Sequence, residues 1–238
     1  MTEPSYPVTE RNRVRRAHQR GSVEKAAVYA IVDAAMLGHV AYVIDGQPFA
    51  TPTLIWREGD TLLWHGSAAS RMLKSARNGL DACVTVSHLD GLVLARSGMH
   101  HSVNYRSAMC YGTARLITDP QEKTRALDGL IDRFYPGRNR TLRPINAQEL
   151  KATSIVTMPI EDASAKVRAA GVADDEEDYG HPVWAGVIPV KTVFGAAEPC
   201  PRLLPGQAIG PDLAPFAEGR RFDDVMRQTQ AQYEMEFA

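Results

Sequence analysis

The sequence predicts a mainly β protein with a few helices, its strands antiparallel and rolled toward a barrel. Three observations carry this. Short apolar runs recur between His39 and Phe194, Gly and Asp residues punctuate them at hairpin spacing, and only the stretches near 22–38 and 119–134 hold a helical apolar period over any length. Six or seven such strands favour closure, because closure removes exposed edges. A sandwich of two sheets is the other arrangement these strands allow.

Composition narrows the class. The chain has 238 residues, 44% of them hydrophobic and 23% charged, which excludes disordered, collagenous and membrane-spanning chains and suits one domain. That domain is expected over 22–198, with a basic N-terminal arm at 1–21 and a C-terminal extension at 199–238. A net charge of −1 argues against a nucleic-acid binder held by phosphate contacts. Arg11, Arg13, Arg15, Arg16 and Arg20 therefore read as a solvated arm, or one packed on a partner subunit. Cys83, Cys110 and Cys200 lack metal or disulfide spacing and read as free thiols of a reducing compartment. The first residues lack the basic-then-apolar order of a signal peptide, and no apolar run reaches membrane-spanning length. The expected location is the cytoplasm, away from membranes.

In chain order, Ser22 caps a first helix whose positions Val28, Ile31, Val32, Ala35 and Met36 share a face, and Gly38 stops it. Strands follow at 39–45, 48–57 and 61–65, with turns at Gly46 and Glu58-Gly-Asp. Gly66-Ser-Ala-Ala-Ser-Arg opens a short helix that Gly79 closes. Strands at 81–88 and 92–97 are joined by a Leu89-Asp-Gly hairpin turn, and a long strand covers 103–117. Asp119-Pro120 caps and starts a helix to about Phe134, and Asn146-Ala-Gln-Glu149 is a capping box before a strand at 154–160. The acidic run 174–178 reads as a solvated loop, 183–194 as a last strand, and the tail as polar and helical.

Chemistry concentrates in Thr61-Leu-Leu-Trp-His-Gly-Ser-Ala-Ala-Ser-Arg-Met-Leu-Lys. A strand runs through His65 and Gly66 into a turn and then a helix, bringing backbone N–H groups, the Ser67 and Ser70 hydroxyls and the Arg71 guanidinium to one corner that suits a phosphate monoester. Either serine is equally the ordinary cap of a helix.

Around this corner the chain resembles the pyridoxamine 5′-phosphate oxidase-like, FMN-binding split-barrel family, especially its nitroimidazole-resistance and flavin-nucleotide-binding branch. Four blocks match in order: Gly46-Gln-Pro-Phe-Ala-Thr-Pro-Thr-Leu, Leu63-Trp-His-Gly-Ser-Ala-Ala-Ser-Arg-Met, Asn104-Tyr-Arg-Ser-Ala-Met-Cys-Tyr-Gly-Thr-Ala-Arg and Ser164-Ala-Lys-Val-Arg. The resemblance spans about residues 22–195. It implies a six-stranded antiparallel split barrel, a homodimer, and FMN in clefts between the two subunits. It also implies that Ser67, Ser70 and Arg71 hold the phosphate and that Thr51, Pro52, Thr53 and Leu54 run beside the flavin. Asn104, Tyr105, Arg106 and Ser107 would approach from the long strand, with Lys166 and Trp184 at the ring. Oxidases acting on pyridoxamine phosphate itself carry an Arg-Lys pair at the phosphate and a C-terminal motif with Arg and His. Here Met72 follows Arg71 and that motif is missing, so this oxidation is not expected.

The expected function is an FMN-binding oxidoreductase passing electrons or hydride to a small acceptor such as a nitro compound or quinone. The alternative is a flavin- or haem-binding protein without turnover on the same fold, and the deazaflavin F420 in place of FMN stays open. No GxGxxG follows a strand, which favours FMN over a dinucleotide. His65 and His101 are the candidate proton donors, the catalytic residues being otherwise unknown. His39 reads as structural. No metal site is expected, since His88, His101, Cys83 and Cys110 lack ligand spacing.

Overall fold

A computed structural model describes residues 4–237. In chain order the elements are β1 (Gly21–Ser22), α1 (Lys25–Val32), β2 (Leu37–Ile44), β3 (Gln47–Glu58), β4 (Thr61–Ser67), α2 (Arg71–Ser75), β5 (Leu80–Leu94), β6 (Ser102–Leu116), α3 (Pro120–Phe134), α4 (Ala147–Ala152), β7 (Thr153–Pro159), β8 (Asp162–Arg168), β9 (Gly186–Pro189) and α5 (Phe222–Phe237). No helix among the described residues is long and apolar enough to cross a membrane.

Six antiparallel strands close a ring in the order β6–β7–β4–β3–β2–β5 and back to β6. The ring is not a perfect barrel. β6 runs beside β5 from Ser102 to Ala114 and beside β8 from Tyr105 to Tyr111, but meets β7 only at Arg115 and Leu116. Its first two-thirds thus belong to a side sheet, extended by β1 beyond β8 and by β9 beyond β5. At the seam the chain after β7 crosses β6: the Glu161 N–H donates to the Tyr111 carbonyl at 3.0 Å, and a Cβ on Gly112 would stand 2.1 Å from the Pro159 carbonyl oxygen.

Strand periodicity separates two cores. Leu62, Trp64, Val84, Val86, Ala108, Cys110, Val156 and Met158 fill the ring, stoppered by Val28, Ile31 and Val32 of α1, by Met72 and Leu73 of α2, and by Ala76 just after it. The alternate residues Trp56, Leu63 and Ile155 face outward and pack under Ala126, Leu130 and Phe134 of α3 and Val225 and Met226 of α5. Arg57 pins this layer: it donates through Nε and Nη2 to Asp33 (2.9 and 2.7 Å) and through Nη2 to Glu234 (2.5 Å). Arg133 donates to the Asp33 and Met226 carbonyls and to the Thr229 hydroxyl.

The two strongest caps stand as read. The Asp119 carboxylate accepts from the N–H groups of Gln121 and Glu122, and Asn146 with Glu149 forms a complete capping box. Five expectations need correction. Ser22 lies in β1, and the first helix starts at Lys25 and ends by Asp33. Gly38 sits inside β2, where a Cβ would meet Ile55 Cδ1 at 2.7 Å. The Leu89-Asp-Gly turn does not exist: β5 is one strand with a bulge between Leu89 and Gly91, because Asp90 bonds Arg106 across the sheet instead of closing a turn. Residues 162–168 form a strand that apolar alternation did not announce, since Ala163, Ser164 and Ala165 are all buried. The last strand covers only Gly186–Pro189. The acidic run is anchored, Asp174 accepting from the Arg96 backbone N–H at 3.0 Å and from its guanidinium at 2.9 Å.

The terminal segments are woven into the fold. Among residues 4–20, Tyr6 and Asn12 are buried, Asn12 bonds Asp162, and Arg11 lies 4.7 Å over the Tyr111 ring, so this arm packs on its own barrel. Segment 199–238 contributes α5 to the outer core.

Gly112→Ala tests the seam. The added methyl collides with the Pro159 carbonyl, backbone that cannot move aside as a flexible side chain would, so a loss of about 3 kcal/mol or more is expected in chemical denaturation, above the ordinary cost of overpacking. A loss under about 1 kcal/mol would contradict the seam geometry.

Candidate functional site

The ring opens where β3 and β4 part. They pair only from Ile55 with Trp64 to Glu58 with Thr61. Beyond Ile55, β3 stays with β2 while His65, Gly66 and Ser67 of β4 stay with β7. Thr51–Leu54 and His65–Ser67 therefore form the two lips of a split, and the β3 edge facing it has no strand partner. The sequence placed these two stretches together as a site, and the strand pairing shows what separates them.

At the end of the second lip the chain turns into α2. The Ser67 carbonyl accepts from the Ser70 N–H at 2.9 Å, the Ser67 hydroxyl accepts from the Ala69 N–H at 3.2 Å, and the Ser70 hydroxyl makes no cap bond. Gly66 lets α2 seat closely, since a Cβ there would approach Leu73 Cδ1 to 2.9 Å. The exposed Arg71 guanidinium lies 4.3 Å over the Phe49 ring, and no carboxylate bonds it among the described residues. Phe49 stacks on Tyr42 at 5.5 Å, and the Tyr42 hydroxyl bonds the Thr51 hydroxyl at 3.0 Å. Arg71, Phe49, Tyr42 and Thr51 thus link the corner to the first lip. Phe49 and Tyr42 were not singled out from sequence, although facing aromatic residues across a short hairpin were a usable signal.

His65 sits where the lips diverge, its ring centroid 6.5 Å from that of Trp56. Its Nδ1 is buried without a partner among the described residues, and burial holds the imidazole below its ordinary pKa.

The remaining candidates lie on the side sheet, separated from the split by β2 and β5, and several are engaged. Arg106 donates to both oxygens of Asp90 (2.8 and 2.7 Å) and to Asp223 (3.1 Å). Asn104 accepts from Arg168 at 2.6 Å and donates to the Ala170 carbonyl at 3.0 Å. Ser107 donates to the Lys166 carbonyl at 3.4 Å, and Lys166 donates to the Arg16 carbonyl at 3.2 Å. Tyr105 is half-buried beside Leu89, opposite Arg168. Trp184 is exposed just before β9. His101 is exposed, with Nδ1 2.9 Å from the Ser97 carbonyl. One chain does not bring these groups to the split.

A six-strand ring, opened between two strands and lined there by an open strand edge, two hydroxyls and an uncompensated guanidinium, defines a split-barrel ligand-binding protein. The chain belongs to the pyridoxamine 5′-phosphate oxidase family, whose profile matches residues 24–167. Among solved structures it is similar to the flavocytochrome Anf3 from Azotobacter vinelandii, with 44% identity, a TM-score of 0.83, and coverage of 91% of this chain and 100% of that one. It is also similar to the FAD and haem binding protein from Mycobacterium smegmatis, with 35% identity, a TM-score of 0.80, and coverage of 85% and 98%. A protein assigned to 5-nitroimidazole antibiotic resistance in Bacteroides thetaiotaomicron matches at 26% identity and a TM-score of 0.50, covering 60% of this chain and 84% of that one. Comparison with the curated proteins finds no match.

The environment of His65 makes a pH prediction. Its folded pKa lies below the ordinary 6.5, so the unfolded chain takes up the proton first. The stability tied to the neutral ring is complete above 6.5 and is lost as pH falls from there toward the folded value. An NMR titration should place the imidazole below 6.5. A midpoint at or above that value would contradict the buried setting.

Proposed function

We propose that this protein binds a flavin in the split and carries haem as a second redox group, passing electrons to a small acceptor. The reading rests on one observation: the Ser67-Ser70-Arg71 corner lies at the split of a chain similar over 85% or more of its length to a flavocytochrome and to an FAD and haem binding protein. The flavin is FAD, following the second relative, in place of the FMN that the sequence favoured.

The residues fit a flavin. Arg71 and the two serine hydroxyls would hold phosphate oxygens, as charge-assisted and neutral hydrogen bonds. The unpaired edge of β3 at Thr51–Leu54 offers backbone donors and acceptors to the pyrimidine side of the ring system. Neutral His65 can exchange a hydrogen bond or a proton at the mouth of the split without bringing a fixed charge there. For haem the chain offers a ligand away from the split: His101 is exposed with one ring nitrogen held by a backbone carbonyl, an arrangement that would orient the imidazole for ligation through the other. Flavin and haem together supply two-electron and one-electron chemistry, and the protein supplies position and charge.

A second copy of the chain completes the site. Leu37, Val43, Leu89 and Met109 are exposed on the outward side of β2, β5 and β6, an apolar face that suits a homodimer interface. Light scattering at micromolar concentration is expected to give twice the chain mass, and a monomer mass would contradict this part.

Arg71→Ala tests the flavin reading. Losing one or two charge-assisted bonds should weaken FAD or FMN by about 10- to 100-fold. Riboflavin, which has no phosphate, should bind the parent weakly and the variant equally. Unchanged flavin-nucleotide affinity in the variant would remove Arg71 from the site.

A further inference from the structure

A basic patch lies beside the split, on α2 and the tight turn that continues it over Ala76–Asn78. Arg71, Lys74 and Arg77 follow one another at spacings of three, so each is the neighbour of the next on one helical surface, where like charges repel. Two further cations flank them. Arg115 of β6 reaches the far end, its Nη1 3.3 Å from where a Cβ on Gly79 would stand. Lys151 stands in the last turn of α4, next to the Ala152 carbonyl that accepts from the Ala68 N–H of the corner at 2.9 Å. All five side chains are exposed. Among the described residues no carboxylate bonds any of them, although Arg125, Arg138 and Arg143, on and after α3, each have one. Asp81 and Glu161, both bonded to Thr113, mark the edge of the patch beyond Arg115.

The patch stands against the charge of the rest. The chain has a net charge of −1, so everything outside these five cations sums to −6. Such a distribution draws an anionic partner to one place and repels it elsewhere. A nucleic acid would run past the patch onto that negative remainder, whereas a compact acidic protein covers the patch alone. Position decides what kind of acidic protein fits. Arg71 belongs to the corner where the flavin reading puts phosphate, so a partner seated on Lys74, Arg77, Arg115 and Lys151 stands at the mouth of the split.

We propose that this patch docks a small acidic electron-carrier protein, which delivers electrons one at a time to the flavin. The docking follows from the patch, and the destination of the electrons rests on the flavin reading. Each encounter oxidises one carrier by one electron, and two encounters supply the pair that a two-electron acceptor takes up, with its protons drawn from solvent.

Biolayer interferometry of the full chain against an acidic plant-type ferredoxin tests the docking without relying on a chromophore. Saturable binding is expected at about 0.02 M salt, weakened at least about tenfold at about 0.2 M salt and at least about tenfold in K74E/R77E. Both positions are exposed and outside the proposed flavin contacts, so the variant should keep the parent's flavin content and denaturation midpoint. With flavin bound, reduction by reduced ferredoxin should slow at least about tenfold in the variant, while photoreduction proceeds alike in both. No saturable binding, equal affinity in the variant, or equally tight binding of a short DNA duplex would each overturn the docking. Docking without reduction of the bound flavin would overturn the electron delivery. A chain that docks ferredoxin but retains no flavin would fail the flavin reading and leave the docking surface standing.

Discussion

β6 belongs to two sheets at once, and the rest of the molecule is arranged around that double membership. Its first part is bound on both edges by β5 and β8, and only Arg115 and Leu116 remain to close the ring onto β7. A strand can leave one sheet for another only where backbones pass closely, which is why Gly112 lies beneath the Pro159 carbonyl. This short seam ties the side sheet to the ring. It also places β7 against β4, and β7 then draws the end of β4 away from β3. The split opens because the two lips follow different neighbours: His65–Ser67 stay with β7 and Thr51–Leu54 stay with β2, so the edges they turn toward each other remain unpaired.

The helices complete what the strands leave open. α1 and α2 stopper the ring, and α3 and α5 cover its outer apolar residues. Arg57 and Arg133 carry the polar side of that second layer, where one partner of a buried pair cannot be removed without stranding the other. Asp33 shows the balance: burial raises its pKa, and its bidentate bond with Arg57 opposes the rise. The same layer, with α3 and the C-terminal helix α5, encloses a pocket beside the turn after Glu58.

What could be read from sequence was local. Asp119-Pro120 and Asn146 with Glu149 identify helix starts because cap and acceptor lie within three residues. Ser67 and Arg71 were legible as a corner for the same reason. Asp90-Gly91 misled because its chemistry is that of a turn, while the partner that holds Asp90 in a bulged strand, Arg106, is far along the chain. Asn104 and Arg106 looked like ligand groups, but the residues that occupy them, Arg168 and Asp223, are still further away. β8 escaped because the arm buries its outer face, so the alternation that marks a half-exposed strand is absent.

The central claim is that one chain of this split barrel carries both a flavin and haem. The absorption spectrum of the purified protein, recorded before and after incubation with FAD and haemin and removal of the unbound excess, tests it most directly. The account predicts flavin bands and a Soret band in the same dimeric species, with the flavin released on denaturation being FAD. A spectrum that lacks either chromophore after reconstitution would contradict it.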